Sequence, residues 1–379
     1  MHGRPRLKSH VQPLRRGPGS LQLGVCPDTG VVLDGLSDGE IAVVEGLDGS
    51  QDMRSLYAGA AAAGVVASRL SALLATLDAH HLLVDAATDR AWMFQVDEPR
   101  RHLLKPDARA LAAAYGLSGD GYDRLAARST QHVLIDAEGD LPCALADLLR
   151  IGGIGRVSVG ANAASSLDLD LRRHPAKGPH AALAGSPLAS ASPASPASSL
   201  LGSSLLGSST LGSTPLGSTP LGSPFRSPSD LPDLVVLAAM GAISPDAGEP
   251  WLRRGIPHLP VVVQGHRVQV GPLITGGDGP CLSCLDLQRS DRDAAWPALL
   301  SQLAPHRPSL HSARVDLEST LMAMTIGAAA MIVHTCLAGQ PVSGDLSMEL
   351  SLPWPTIQNR RWHPHPMCDC LVGQATMAG

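Results

Sequence analysis

Short apolar runs alternate with amphipathic stretches from residue 130 onward, and this alternation predicts an α/β domain. Four apolar runs predict buried strands at 132–136, 155–160, 232–239 and 259–265. The stretch 141–153 carries leucines at helical spacing and ends in glycines, so it predicts the helix after the first strand. Buried strands that alternate with helices are typical of a mostly parallel sheet covered on both faces.

The N-terminal part of the chain follows a different pattern, with short strands placed around three short helices. Residues 21–25 alternate between apolar and polar positions as a strand does, and 30–36 predict a second strand. Ser37 lies three residues before Glu40, a spacing that predicts a capping box at the start of the first helix. With two further helices and a closing strand at 80–85, we interpret this part as a winged-helix-like domain.

A Gly-, Ser- and Pro-rich stretch interrupts the α/β domain. From Leu201 the unit Leu-Gly-Ser-x-x repeats every five residues with almost no charge, so we interpret the stretch as a flexible linker or surface insertion. We therefore expect five segments: a winged-helix-like domain (1–90), a connecting helical segment (91–130), the first part of the α/β domain (131–175), the insertion (176–230) and the second part of the α/β domain (231–379).

Composition and charge narrow the class of partner. The net charge is −5 and the pI is near 6.3, so we expect neither nucleic acid nor a membrane surface as a partner. The basic N-terminus is not followed by the apolar block of a signal peptide, and the longest apolar run, 321–333, is too short to span a bilayer. We therefore expect a cytoplasmic protein in which this run forms a buried core helix.

A winged helix suggests DNA binding, but the charge of this one argues against it. Between residues 36 and 85, seven acidic residues stand against two basic ones, so the surface would repel phosphate. A peptide that adds a strand to the sheet edge fits the charge better. We predict that it pairs with a strand in 20–36 and packs against the helix at 67–78. The predicted peptide-contact residues are Leu21, Leu23, Val25, Leu70 and Leu74.

Four of the seven cysteines lie in two tight pairs, Cys281-x-x-Cys284 and Cys368-x-Cys370. Closely spaced thiolates supply the tetrahedral four-sulfur set that structural zinc prefers, and four protein ligands leave no open position for a substrate. The sequence therefore predicts a structural Zn²⁺ site.

Other interpretations of the cysteines stay open. The four could be ordinary reduced thiols, or the CxxC pair could be a redox pair. One of the flanking histidines, His363 or His365, could replace a cysteine as ligand. We expect the remaining cysteines to be small buried hydrophobic residues; they are Cys26, Cys143 and Cys336.

The order of these features resembles the ThiF-type family of adenylating proteins, which are related to ubiquitin-activating enzymes. GGIGRVSV (152–159) is similar to the family's entry into its second strand. GIPHLPVVVQGHRVQVGPLITGGDGPCLSC (255–284) is similar to the strand pair before the first zinc cysteines, and LESTLMAMTIGAAAMIVHTCLAGQ (317–340) to the long helix that follows. The resemblance covers about 130–175 and 230–373, and it implies a Rossmann-like sheet with a C-terminal four-cysteine zinc site.

The chain departs from this family where nucleotide should bind. The family's glycine loop falls on 133–143, where Gly139 is the one glycine of the pattern that remains and Asp140 brings a carboxylate to the phosphate position. Pro142 removes an N–H donor. The acidic residues expected after the second and third strands fall on Gly160 or Ala161 and on Met240. Gly139 and Asp140 therefore mark a degraded nucleotide loop, and we expect ATP binding to be lost.

The winged-helix-like domain ahead of such a sheet is similar to the leader-peptide recognition element of thiazole/oxazole peptide biosynthesis. This resemblance implies a partner protein that clamps the leader of a precursor peptide and presents the peptide to a separate cyclodehydratase that uses ATP. The ThiF-type family tends to pair protomers across the sheet domain, so the resemblance to that family also implies a homodimer.

Two alternative functions stay open at this stage. One is an active adenylyltransferase acting on the C-terminus of a small carrier protein, with a phosphate site rebuilt from residues such as Arg172 and Arg173. The other is a transcription regulator, supported by five basic residues near the N-terminus, Arg4, Arg6, Lys8, Arg15 and Arg16.

Overall fold

The computed structural model of the chain describes residues 3–25, 30–87, 98–115, 119, 121–160, 231–277, 279–304 and 314–371. The predicted insertion at 176–230 lies outside these residues, as do Cys26, Ala161, Arg172 and Arg173. The strands are β1 (Pro5–Leu7), β2 (Pro13–Gly17), β3 (Ser20–Leu23), β4 (Val31–Asp34), β5 (Leu83–Asp85), β6 (His132–Asp136), β7 (Arg156–Val159), β8 (Leu234–Met240), β9 (His258–Gln264), β10 (Arg267–Val270), β11 (Leu346–Ser351) and β12 (Thr356–Arg361).

The helices alternate with these strands through most of the described residues. They are α1 (Asp38–Glu45), α2 (Met53–Ala62), α3 (Ala67–Ala79), α4 (Glu98–Ala114), α5 (Tyr122–Ser129), α6 (Asp140–Ile151), α7 (Glu249–Arg253), α8 (Leu282–Ser290), α9 (Trp296–Leu303) and α10 (Ser319–Leu337). Two short 3₁₀ turns span Pro245–Ala247 and Asp369–Leu371.

The N-terminal residues form a three-stranded antiparallel sheet in the order β2-β3-β4, which shares one apolar core with α1, α2 and α3. Strand β1 pairs separately with β5, so that Leu7 lies opposite Leu83. The closing strand predicted at 80–85 therefore exists, but its partner is an N-terminal strand. Sequence reasoning missed β1 and β2 because prolines and arginines interrupt any apolar alternation over residues 5–17.

The capping box predicted at Ser37 is confirmed and also joins α1 to α3. The Glu40 N–H donates to Ser37 Oγ at 3.2 Å, and the Ser37 N–H donates to Glu40 Oε2 at 2.8 Å. The second carboxylate oxygen of Glu40 accepts the Arg69 Nε–H from α3. The Ser37 N–H is the main reason that the pKa of the buried Glu40 carboxyl is lowered, and the ion pair with Arg69 acts in the same direction.

Helices α4 and α5 pack on each other and attach to the α/β sheet. Gly121 lets them approach closely, because its φ is +84° and a Cβ there would lie 2.2 Å from the Ala108 carbonyl oxygen. Arg124 Nη1 donates to the Ala338 carbonyl at 2.7 Å, and Gln131 Nε2 donates to the Leu337 carbonyl at 2.8 Å. These bonds tie the connecting segment to the C-terminal end of α10.

A seven-stranded sheet in the order β12-β11-β10-β9-β8-β6-β7 confirms the predicted α/β class. The strands β7, β6, β8 and β9 are parallel, and β10, β11 and β12 continue the sheet as an antiparallel meander. All four predicted strands are present, at β6, β7, β8 and β9; β6, β8 and β9 are buried, whereas β7 at the sheet edge is partly exposed.

Alternate side chains of the interior strand β8 pack into two separate cores, one on each face of the sheet. Leu234 and Val236 lie on the face covered by α6 and α10, whereas Val235 and Leu237 lie on the face covered by α7 and α8. This is the two-residue period of a strand buried on both sides. The sheet is therefore a three-layer structure whose parallel strands end at one common edge.

Helix α10 is apolar around most of its circumference but is buried along one face. Leu321, Thr325 and Val333 face the core, while Met331 on the outer side is 72% exposed. The prediction that 321–333 is a buried core helix is therefore correct for one face and wrong for the other. By length and composition alone, this 19-residue helix also qualifies as a membrane span, a test that core helices commonly pass.

Candidate functional site

The two cysteine pairs meet in one cluster beside α8. Cys281 is the N-cap residue of α8, Cys284 lies one turn later, and Cys368 and Cys370 approach from the C-terminal 3₁₀ turn. The Sγ–Sγ distances are 3.8 Å for Cys281–Cys284, 3.6 Å for Cys281–Cys368 and 3.4 Å for Cys284–Cys370, and all four sulfurs lie within 4.8 Å of one another. Four thiolates around a tetrahedral metal at about 2.3 Å would be about 3.8 Å apart, so this set fits a metal ion.

Burial and hydrogen bonding raise the pKa of two of these thiols, Cys281 and Cys370. The hydrogen bond with Cys284 and then burial raise the pKa of the Cys281 thiol to about 12, and burial also raises the pKa of Cys370. Cys284 Sγ accepts the His365 backbone N–H at 3.3 Å, a bond that suits a thiolate. Four thiolates can exist together here when a bound cation offsets their charge.

The flanking histidines do not replace a cysteine. His365 Nε2 lies 2.9 Å from Asp291 Oδ2, and His365 Nδ1 accepts the Met367 N–H at 3.1 Å, so both ring nitrogens are used. His363 is not part of the cluster that the described residues form. A redox pair would need two cysteines, whereas each sulfur of the CxxC pair also approaches a sulfur of the second pair.

Two of the remaining cysteines have described positions. Cys143 is exposed on α6, so the prediction that it is buried is wrong; the inward positions of this helix are taken by leucines such as Leu145 and Leu149. Cys336 is half-buried, and burial raises the pKa of its thiol.

Trp362 holds the C-terminal segment against the sheet just before the second cysteine pair. Its ring is fully buried, and its Nε1–H donates to Ser347 Oγ on β11 at 2.9 Å. The guanidinium groups of Arg360 and Arg289 lie 4.2 and 5.4 Å from the ring centroid, within the range of a cation–π contact. Arg289 belongs to α8, so the same contact helps align the two cysteine-bearing segments.

The stretch predicted to be a degraded nucleotide loop lies between β6 and α6. Gly139 is the N-cap residue of α6, with φ of +122°, and a Cβ there would lie 2.6 Å from the Val315 nitrogen and 2.9 Å from Asp316 Oδ1. The glycine at this position is therefore required by contact with the chain's own segment 314–316. Asp140 is exposed, and its carboxylate accepts a hydrogen bond from Arg314 Nη2 at 3.0 Å.

The segment 314–316 occupies the N-terminus of α6. Asp316 Oδ1 accepts the Asp140 N–H at 2.9 Å, and the Val315 carbonyl accepts the Leu141 N–H at 3.1 Å. The third helical residue, Pro142, has no N–H. In return, the Val315 N–H donates to the Glu138 carbonyl at 2.8 Å. The helix terminus that would receive a phosphate already binds a carboxylate and a carbonyl from the same chain.

The other positions expected to handle nucleotide also lack acidic side chains. Met240 is the last residue of β8, and Gly160 directly follows β7. Both therefore lie at the carboxyl edge of the parallel strands, where ligands of open α/β sheets bind.

The residues predicted to contact a peptide are distributed between the N-terminal core and its surface. Leu21, Leu23 and Leu70 have no exposed surface, and Leu74 is partly buried against the same core. Val25 is 74% exposed. Moreover, Leu21 and Leu23 belong to the middle strand of the three-stranded sheet, so their backbone already pairs on both sides.

Sequence reasoning missed the segment 314–316. Its residues lie about 175 positions from Asp140 along the chain, and no spacing rule connects them. The one nearby sequence feature is Glu318, whose carboxylate caps α10 by accepting hydrogen bonds from the N–H groups of Thr320 and Leu321. This cap predicts where α10 begins but not where the preceding residues pack.

The cysteine geometry predicts a metal-dependent fold. We expect the purified chain to contain about one tightly bound transition-metal ion, and Cys284→Ser to lose it together with about 3 kcal/mol or more of unfolding free energy. Elemental analysis and urea denaturation measure both quantities. Cys143→Ser is the matched control and should change neither; a metal-free wild type, or equal metal content in the two variants, would contradict the site.

The contact at Gly139 predicts a large cost for adding one methyl group. Gly139→Ala should lower the unfolding free energy by about 2–4 kcal/mol, because the new Cβ meets backbone atoms and the φ angle disfavours an L-residue. Gly160→Ala is the control, since a Cβ there has no heavy atom of the described residues within 4 Å. Equal urea-denaturation midpoints for the two variants would show that 314–316 does not pack against the loop.

Comparison with known proteins shows which fold the chain shares. The sequence matches no protein-family model and no curated protein. Among solved structures, a heterocyclase in complex with substrate and cofactor superposes with a TM-score of 0.56 at 15% identity, over 97% of this chain and 39% of the heterocyclase. The chain thus spans about two fifths of the length of the heterocyclases that it matches.

Two other solved structures match over nearly their whole length. Escherichia coli MccB with MccA has a TM-score of 0.53 at 11% identity, over 97% of this chain and 99% of MccB. PaaA has a TM-score of 0.58 at 10% identity, over 94% of this chain and 100% of PaaA. MccB has also been solved with ATP. The chain therefore has the fold of these heterocyclases, of MccB and of PaaA.

Proposed function

We propose that the chain is a ThiF-like scaffold that binds the leader of a precursor peptide and presents the peptide to a separate cyclodehydratase. One observation carries the proposal: the helix terminus that would bind the phosphates of ATP is filled by Val315 and Asp316. We infer that a chain with this fold whose phosphate position is filled by its own residues serves to bind peptide rather than nucleotide. The likeness to a heterocyclase solved with its substrate and to MccB solved with MccA supports this assignment.

Electrostatics supports the loss of ATP binding. A triphosphate at the start of α6 would have to displace Asp316 and then lie beside the Asp140 carboxylate. A unit negative charge about 4 Å from a carboxylate is repelled by roughly 4 kcal/mol at an effective dielectric of 20. The N–H donors of Asp140 and Leu141 are satisfied without any ligand, so binding would gain few new hydrogen bonds.

The second candidate function is an adenylyltransferase that activates the C-terminus of a small carrier protein. The fold of MccB, which has been solved with ATP, favours it. It requires 314–316 to leave the helix terminus and Arg314 to turn from Asp140 and Asp316, with which it now pairs, toward a phosphate. We place this function second because three hydrogen bonds and two ion pairs would have to break first.

The peptide is proposed to add a strand to the free edge of the N-terminal sheet. Within the described residues β4 is an edge strand, and Val32 on it is 40% exposed. Main-chain hydrogen bonds would supply affinity, and side chains such as Val32 and the partly buried Leu74 would add apolar contacts. The fully buried Leu21, Leu23 and Leu70 would support this surface from inside.

The same domain is poorly suited to DNA. Of the five basic residues that suggested a transcription regulator, Lys8 is 2% exposed. Arg15 forms two hydrogen bonds with Glu45, which also raise its pKa. These basic side chains therefore do not offset the negative charge of the domain. The winged-helix-like arrangement is proposed to serve peptide binding instead.

Zinc is the ion proposed for the cysteine cluster. It prefers four thiolates in tetrahedral geometry, and a closed site of this kind is structural. A bound Zn²⁺ would supply the positive charge that keeps the thiolates deprotonated and would cross-link α8 to the C-terminal 3₁₀ turn. Cys281, Cys284, Cys368 and Cys370 would hold it, with the His365 N–H bonded to the sulfur of Cys284.

A cytoplasmic homodimer is proposed as the working form. The outer side of α10 carries Met331, which is 72% exposed, and 28% of the most apolar window of this helix is buried within the chain. A second copy packed on this face would remove apolar surface from water. The sheet domain, rather than the peptide-binding domain, would then hold the pair together.

Disruption of β4 tests the proposed peptide site. We expect a precursor leader peptide to bind the wild type, and Val32→Asp to weaken binding about tenfold or more, because a carboxylate would disturb the edge and its apolar contacts. Fluorescence anisotropy with a labelled leader measures the affinity.

Val159→Asp is the matched control, because Val159 is 38% exposed on β7 of the other sheet. It should bind like the wild type. The scaffold function would be abandoned if the wild type failed to bind the leader, and the β4 edge would be the wrong site if the two variants bound equally well.

A further inference from the structure

A cavity of about 460 Å³ lies between the N-terminal domain and the connecting helices, away from the cysteine cluster and the loop at Gly139. One wall is β1, another is one face of α4, and Tyr122 at the start of α5 adds to a third. Its volume lies in the range of small-molecule sites. Its charged and titratable lining residues are Arg6, Glu98, Arg101, His102, Lys105 and Arg109.

The α4 members of this set share one face of the helix. Glu98, Arg101, Lys105 and Arg109 follow one another at spacings of three and four residues. Arg101–Lys105 and Lys105–Arg109 are like-charge pairs one turn apart, an arrangement that destabilises a helix in isolation. The cavity therefore concentrates positive charge in a chain whose net charge is −5.

Two of these cations have no charged or hydrogen-bonding partner among the residues that the structure describes. Arg6 and Arg101 take part in other interactions within the chain. Lys105 and Arg109 are exposed, and neither has an ion pair or hydrogen bond with a residue that the structure describes. His102 lies beside them on the same face, and Glu98 is the one carboxylate among the lining residues.

We propose that this cavity binds a small phosphorylated molecule. A phosphate group carries more than one negative charge and accepts several hydrogen bonds, which Lys105 and Arg109 can donate together. A cavity of this size, walled on three sides, suits a small molecule better than an extended chain. The site is independent of the scaffold function, and it places anion binding on α4 rather than at the start of α6.

The experiment uses inorganic pyrophosphate as the probe, titrated into the full chain by calorimetry at low ionic strength. We expect saturable binding at one site per chain, weakened roughly tenfold or more in the double variant Lys105→Gln/Arg109→Gln. The double variant Arg54→Gln/Arg100→Gln removes the same charge from exposed positions outside the cavity, Arg100 being on the same helix. It should bind within about twofold of the wild type.

Further measurements distinguish a specific phosphate site from nonspecific electrostatic binding of anions. Citrate at the same concentration should bind much more weakly than pyrophosphate. Circular dichroism shows whether each variant keeps its helices. The proposal is overturned if the wild type shows no saturable binding, if both double variants lose affinity equally, or if citrate binds as well as pyrophosphate. A failure to bind leader peptide would leave these outcomes unchanged.

Discussion

The amide hydrogens at the start of α6 are bonded to acceptors on residues 315 and 316, and on the proposed function this closure of the helix terminus excludes a phosphate from the sheet edge. A helix N-terminus at the carboxyl edge of a parallel sheet is normally an open anion site. Here the Asp316 carboxylate provides the anion, Val315 provides a carbonyl, and Gly139 makes room for both. An intramolecular ligand of this kind has a very high effective concentration, so an external phosphate competes poorly.

The cysteine cluster and the contact of 314–316 with the start of α6 involve the two segments that flank residues 305–313 in the sequence. Cys281 and Cys284 lie on α8 before this stretch, and 314–316 directly follows it, leading into α10. The cluster joins α8 to the C-terminal turn, while the closure joins the start of α10 to the start of α6. Together with the bonds from Arg124 and Gln131 to the end of α10, they fix both ends of this helix in the sheet domain.

The parts of the fold that depend on local pattern could be predicted from the sequence. The four parallel strands, the capping box at Ser37 and the meeting of the cysteine pairs follow from apolar runs, from spacing and from ligand chemistry. Long-range placement could not be predicted. No local pattern in the sequence indicates that β1 pairs with β5 or that Asp316 contacts Asp140. None indicates that Cys143 and Met331 are exposed.

Amide hydrogen exchange at the start of α6, with and without magnesium and ATP, tests the central claim most directly. The account predicts that Asp140 and Leu141 are protected in the free chain and that ATP changes neither their exchange nor that of 314–317. Binding of a phosphate elsewhere, such as on α4, would leave this result intact. Faster exchange at 314–317 together with new protection at 138–143 on adding ATP would show that a nucleotide displaces Asp316, and would contradict the account.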